Sequence, residues 1–141
     1  MAGASFSIVF VCAGNTCRSV MAEAFARRRY EGAVTVFSAG LRPQRPEDAQ
    51  NAIDTLRSDF EIDVSGHVPR DVRTLDLISF THVVAMGKDI ARQLRKLTDR
   101  EITVWEIDDP FGNDPLEYRR CALAIKRQVL TLPRVTSESA G

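Results

Sequence analysis

Between Val11 and Ser19 the chain changes its hydrophobic period, and no other stretch restricts the fold as strongly. Upstream, Ser5 to Val11 is apolar and β-branched, the pattern of a buried strand. Downstream, Met21, Ala24, Phe25 and Arg28 recur at i, i+3, i+4 and i+7, one face of a helix. A strand that enters a helix through a short loop aims backbone N–H groups and the positive helix end at one point. The loop here reads Cys12-Ala13-Gly14-Asn15-Thr16-Cys17-Arg18-Ser19. It is an anion seat with a thiol at its floor and a planar cation at its side, and a thiol in such a field is favoured as a nucleophilic thiolate.

The rest of the chain repeats the alternation. Val34 to Ser38, His82 to Met86 and Ile102 to Trp105 read as further strands. A helix starts near Pro46, with Glu47 and Asp48 in its first turn and Ala49, Ala52, Ile53, Leu56 and Phe60 on one face. Residues 71–79 read as a short helix, and a helix with Ile90, Leu94 and Leu97 inward follows the third strand. Gly40 to Pro46, Asp63 to Pro69 and Asp108 to Pro115 read as loops. Pro115 opens a last helix with Tyr118, Cys121, Ala122, Ile125 and Val129 on one stripe. Strands alternating with helices predict an α/β fold: a single domain over 1–133, with a four-stranded parallel twisted sheet flanked by helices on both faces. Residues 134–141 are small and polar and read as a flexible tail. Ligands in such folds bind beyond the carboxyl ends of the strands, so the Cys12 loop and the Asp109 loop share one rim.

Charge and cysteine usage narrow the class. Lys+Arg and Asp+Glu both number 19, so no excess of positive charge favours nucleic acid or a membrane surface. The run Arg27-Arg28-Arg29 reads as the solvated face of a helix. No apolar stretch is long enough to cross a bilayer, and Met1 to Phe10 lacks a basic leader. Three cysteines without framework spacing point to reduced thiols in the cytoplasm. Cys12 and Cys17 lack two further ligands at metal-site spacing, so no metal is expected.

Each loop residue has a use. Gly14 lets the backbone curl, and Asn15 tolerates the left-handed region. Arg18 grips two phosphoryl oxygens at once. Ser19 can donate a hydrogen bond to the Cys12 sulfur, and Cys17 lies one loop-length from Cys12, where a reversible disulfide can form. His82 reads as a strand-end residue, Trp105 as core, and Cys121 as packing, alone on its helix stripe.

On these residues, with Met21-Ala22-Glu23, Ser38-Ala39-Gly40 and Asp109-Pro110-Phe111-Gly112 in the same order, the chain resembles the low-molecular-weight protein tyrosine phosphatases over nearly its whole length. The resemblance implies a four-stranded parallel sheet and a cysteine-dependent phosphatase acting on a phosphorylated protein. Cys12 is the implied nucleophile, Arg18 the oxyanion partner and Asp109 the general acid, with residues 13–19 binding phosphate. Asp108 then points away. Asn15, Ser38 and His67 match a supporting hydrogen-bond network. Val20 stands where the family usually has proline.

Substrate choice is divided. Tyrosine-specific relatives usually carry an aromatic after strand two and often two after Asp-Pro. Here the segment from Leu41 to Pro46 has none, and Phe111 is followed directly by Gly112. Thr16 and Asp-Pro-Phe-Gly resemble bacterial protein-arginine phosphatases, and Asp108, Asp114 and Glu117 can attract a cationic substrate. Phosphotyrosine is the expected substrate, with phosphoarginine the alternative. Two further readings rank lower: an arsenate reductase, which lacks its second cysteine pair in residues 80–97, and a non-catalytic phosphate-binding module.

Overall fold

The computed structural model describes residues 6–110, 112 and 114–135. Phe111 and residues 136–141 of the expected tail lie outside the described residues. Strand β1 spans Ser7–Cys12, β2 Thr35–Gly40, β3 His82–Ala85 and β4 Thr103–Val104. Helix α1 spans Arg18–Tyr30, α2 Gln50–Phe60, α3 Lys88–Leu94 and α4 Pro115–Val129. The sheet has the order β2-β1-β3-β4, and every pairing is parallel.

Strand parity divides the core. Ile8, Phe10 and Cys12 of β1 face a layer that includes Met21, Phe25, Leu56, Ala122 and Ile125, contributed by α1, α2 and α4. Val9 and Val11 face the other layer, with Val72, Leu77, Ile90 and Leu94. β1 is therefore buried on both faces, which its unbroken apolar run requires. The same parity sends the Cys12 side chain toward α1 and α4 rather than α3.

The β1 connection runs to β2 on one side, while β3 and β4 lie on the other. The strand order thus reverses beside β1, which opens a crevice at its carboxyl end. Gly40 closes the edge of this crevice. A Cβ there would stand 2.8 Å from the Ala13 carbonyl oxygen and 2.9 Å from the Asn15 nitrogen, so only glycine lets β2 approach the loop.

Four expectations are corrected. Residues 71–79 form not one helix but two 3₁₀ turns, Val72–Thr74 and Leu77–Ser79, each preceded by an extended aspartate, Asp71 and Asp76. Extended Leu75 separates them, which brings both Val72 and Leu77 into the core. The helix near Pro46 likewise begins as a 3₁₀ turn, Pro46–Ala49. Helix α3 stops at Leu94, so Leu97 is half exposed rather than inward. The arginines 27–29 are not only a solvated face. Arg27 donates to the Val36 carbonyl, Arg28 to those of Phe60 and Glu61, and Arg29 to that of Val129. The bonds from Arg28 and Arg29 satisfy carbonyls at the ends of α2 and α4 that the helices leave unpaired, while that from Arg27 ties α1 to β2.

Candidate active site

The loop from Cys12 to Ser19 curls because its carbonyls are bonded outward. Leu41 N–H donates to the Cys12 carbonyl at 3.1 Å, Arg42 to that of Ala13 at 2.8 Å and Gln44 to that of Gly14 at 3.0 Å. Asn15 takes the left-handed conformation, φ 56°, and is fully buried. Its amide donates to Ser19 Oγ at 2.8 Å and to Ser38 Oγ at 2.9 Å, while its Oδ1 accepts from Arg70 N–H at 2.9 Å. His67 Nε2 lies 2.8 Å from the Asn15 carbonyl; a carbonyl only accepts, so Nε2 carries the proton. Ser38 donates onward to Glu23 at 2.5 Å. Asn15, Ser38 and His67 are thus brought together behind the loop, joined by Glu23, to which the sequence assigned no role.

This network orients the thiol. Cys12 Sγ and Ser19 Oγ are 2.9 Å apart, both buried. Ser19 already accepts from Asn15, so its own hydrogen is free to point at sulfur.

Arg18 is held by distant carbonyls. Its Nη1 donates to Met86 O at 2.6 Å and Ile107 O at 3.1 Å, just beyond β3 and β4. Its Nη2 donates to Asp109 Oδ2 at 3.3 Å, and its Nε lies 3.1 Å from Oδ1. That last contact is an ion pair without hydrogen-bond alignment. Among the described residues, Nε is the buried side-chain polar atom left without a hydrogen-bond partner. Asp109 itself is 64% exposed and Arg18 only 11%. The acid closes over the guanidinium from the solvent side.

A cleft of about 610 Å³ opens here, bordered by Ala13, Arg18, Arg42, Lys88, Asp108 and Asp109 among others. No described residue lining it is aromatic. Asp108 also borders this cleft. Asp114 and Glu117 do not border it: Asp114 caps α4 through Leu116 N–H at 2.9 Å, and Glu117 pairs with Arg120 at 3.0 Å. Leu41 is buried against the α3-side core, and the adjacent Arg42 lines the cleft instead. Val20 is buried, and α1 begins at Arg18 without a proline.

Two contacts had no local signal in the sequence. Thr16 is buried, and its hydroxyl donates to Gln44 Oε1 at 2.7 Å. Cys121 does not stand alone: its thiol is hydrogen-bonded with that of Cys17, and its sulfur lies 3.8 Å from the Asp108 carbonyl. The bond to Cys121, with burial, pushes the Cys17 thiol up. The bond from Cys17, with the Arg18 charge, pulls Cys121 down against the effect of burial. Cys17 therefore has two thiols in its surroundings, Cys12 and Cys121, where the spacing pointed only to Cys12.

Residues 7–138 match the family described as low molecular weight phosphotyrosine protein phosphatase. Arsenate reductase 1 of Staphylococcus epidermidis is 32% identical, over 89% of this chain and 93% of that one. The low molecular weight protein tyrosine phosphatase from T. tengcongensis superposes with a TM-score of 0.79 at 26% identity, covering 89% of this chain and 95% of the other. An arginine phosphatase from Geobacillus stearothermophilus superposes at 0.71 with 28% identity, covering 88% of each chain.

Proposed function

The chain belongs to the low molecular weight phosphotyrosine protein phosphatase family, and from that membership we propose that it removes phosphoryl groups from proteins through a phosphocysteine on Cys12. The observation that carries the proposal is Arg18. Two strand-end carbonyls fix its guanidinium beside the Cys12 loop, and one buried donor is left without a hydrogen-bond partner. That is a preorganised seat for an oxyanion.

In the first step the Cys12 thiolate attacks phosphorus, the bond to the leaving atom breaks, and Asp109 gives that atom its proton. In the second, water attacks the phosphocysteine, Asp109 takes a proton from it, and Cys12 leaves as a thiolate held by Ser19. Arg18 and the N–H groups of residues 13–19 balance the charge on the equatorial oxygens throughout. Binding of substrate phosphate displaces Asp109 from Arg18 and turns it toward the leaving group. Thiolate, carboxyl and guanidinium supply nucleophile, proton and charge, so the reaction requires no metal or organic cofactor. Thiol chemistry of this kind fits the reducing cytoplasm, and no helix among the described residues is long and apolar enough to cross a membrane.

Phosphotyrosine is the substrate we propose first, in line with the family. A specific observation supports phosphoarginine as a second reading: the described cleft lining holds no ring against which a phenyl group could stack. Thr16 supports it as well, its small side chain leaving room at the loop for a guanidinium.

Hydrolysis of an aryl phosphate by wild type, lost in Cys12→Ser and reduced about 10²–10³-fold in Arg18→Lys, is the expected result. Asp109→Asn slows poor leaving groups most. Equal slowing of all leaving groups removes Asp109 from the acid role. Phosphotyrosyl and phosphoarginyl proteins tested side by side, with Thr16→Ile, decide between substrates; a shift toward phosphotyrosine in the variant favours the arginine reading. Arsenate turnover exceeding aryl phosphate turnover would replace the phosphatase reading with that of the arsenate reductase relative.

A further inference from the structure

The segment after β2 is zipped to the phosphate loop, since the N–H groups of Leu41, Arg42 and Gln44 close on the carbonyls of Cys12, Ala13 and Gly14. Leu41 turns into the core, and Arg42, next along the chain, is exposed and lines the cleft. Its backbone is fixed at 2.8 Å from the Ala13 carbonyl, one residue past the nucleophile. Its guanidinium reaches across to α3, where Nη1 donates to Gln93 Oε1 at 3.1 Å. The side chain is therefore anchored at its root by the loop and braced at its tip by a helix.

The charges around it are matched in pairs, and Arg42 is left over. Among the described residues of the cleft, Arg18 faces Asp109 at 3.1 Å and Lys88 faces Glu106 at 3.4 Å. Asp89 is taken by Arg92 at 3.0 Å. Asp108 follows β4, at the opposite edge of the sheet from β2, and makes no ion pair with Arg42. The bond that holds Arg42 is to a neutral amide, which orients the guanidinium without cancelling its charge. Nε and Nη2 have no hydrogen-bond partner among the described residues. Those two nitrogens form one edge of the planar fork, the edge that grips a carboxylate with two parallel bonds. The phosphoryl group does not call on this cation, because Arg18 and the loop amides already meet its oxygens.

We propose that Arg42 is a specificity-determining residue, which reads an acidic side chain beside the phosphorylated residue of the substrate protein. The proposal rests on the phosphatase reading and adds to it what lies next to the phosphate. A side chain inserted into the loop leaves its own backbone at the mouth, and the neighbouring Cα atoms lie about 3.8 Å to either side. Side chains of Asp or Glu at such positions pass the wall that carries Arg42. A pair formed there is partly in water, so it sorts one substrate from another more than it tightens binding overall.

The test uses the full chain and short phosphopeptides in two series, phosphotyrosyl and phosphoarginyl. Glu, Gln or Lys is placed in turn at each position flanking the phosphorylated residue, and kcat/KM is compared within each enzyme, so a general loss of activity cancels. In the series that it hydrolyses, wild type should favour Glu over Gln roughly fivefold at one flanking position or more. That preference should fade as salt is raised to about 0.5 M. Arg42→Gln should bring the ratio to about one, and Arg42→Glu should favour Lys over Gln, a gain that misfolding cannot produce. A wild-type ratio near one at every position overturns the proposal, as does a Glu preference that survives Arg42→Gln. Failure of the phosphatase reading looks different: wild type then hydrolyses neither aryl phosphate nor any phosphopeptide, and the role of Arg42 falls with it.

Discussion

Gly40 and Asn15 set the shape of the loop from opposite sides. Asn15 holds it with bonds to Ser19, Ser38, Arg70 and His67, and Gly40 lets β2 come close enough for Ser38 to take part. Gly40→Ala puts a methyl carbon within 2.8–3.0 Å of three backbone atoms of the loop, none of which can rotate away. Expected is a fall in kcat/KM of about 10²-fold, since a displacement near 1 Å in a catalytic group has that effect. Steady-state kinetics beside a thermal melt checks it; a loss of stability with kcat/KM intact removes Gly40 from the positioning argument. Cys12, Arg18, Ser19 and Asp109 were legible in the sequence because their chemistry is carried by short contiguous runs. Gln44 and Cys121 were not. Each meets its loop partner across long sequence separations, Gln44 with Thr16 and Cys121 with Cys17, and nothing local marks either. Composition names the residues of the loop after β2, but only packing says that Leu41 turns inward while Arg42 lines the cleft.

The two 3₁₀ turns between α2 and β3 carry the backbone past the site. Asp71 caps the first by accepting from Arg73 N–H at 2.9 Å, and its backbone bridges to Gly40. The Arg73 guanidinium, with that N–H, holds the Asp71 carboxyl down at about 2. An aspartate lowered on folding contributes fully above its unfolded value, near 4, and loses that contribution as pH falls through about 2. The stability gap between wild type and Asp71→Asn should therefore be constant above about pH 5 and close between about pH 4 and 2. Denaturant melts across that range, with the Asp71 carboxyl followed by NMR, measure it; a gap that widens on acidification contradicts the cap. Most elements were legible because their period is clean, as in β1 and α4. The stretch 71–79 was not, since Val72, Leu75 and Ile78 recur every three residues, near a helical spacing, while two aspartates favour separate starts. Leu97 misled in the same manner: it continues the α3 stripe by spacing, yet the helix ends one turn earlier.

At the scale of the whole molecule, β1 is the spine. It pairs with β2 over residues 7–12 and with β3 over residues 8–11, and both its faces are covered. β4 is a two-residue edge that, among the described residues, pairs with β3 alone. Native-state hydrogen exchange should find the slowest amides in β1, Ile8 to Val11, and the fastest strand amides in β4. Slower exchange in β4 than in β1 refutes this order. The alternation of periods made a parallel α/β sheet legible, but not the order β2-β1-β3-β4, which depends on which connections cross which face. That order matters for Arg18, whose anchors, Met86 and Ile107, follow β3 and β4. On a ribosome the complete Cys12–Arg18 motif emerges long before Ile107 does. The nascent chain thus carries its reactive thiol before it carries the means to hold an oxyanion. The guanidinium gains its last anchor late in synthesis, when the segment after the fourth strand docks, and on the proposed function a half-made chain is therefore inactive.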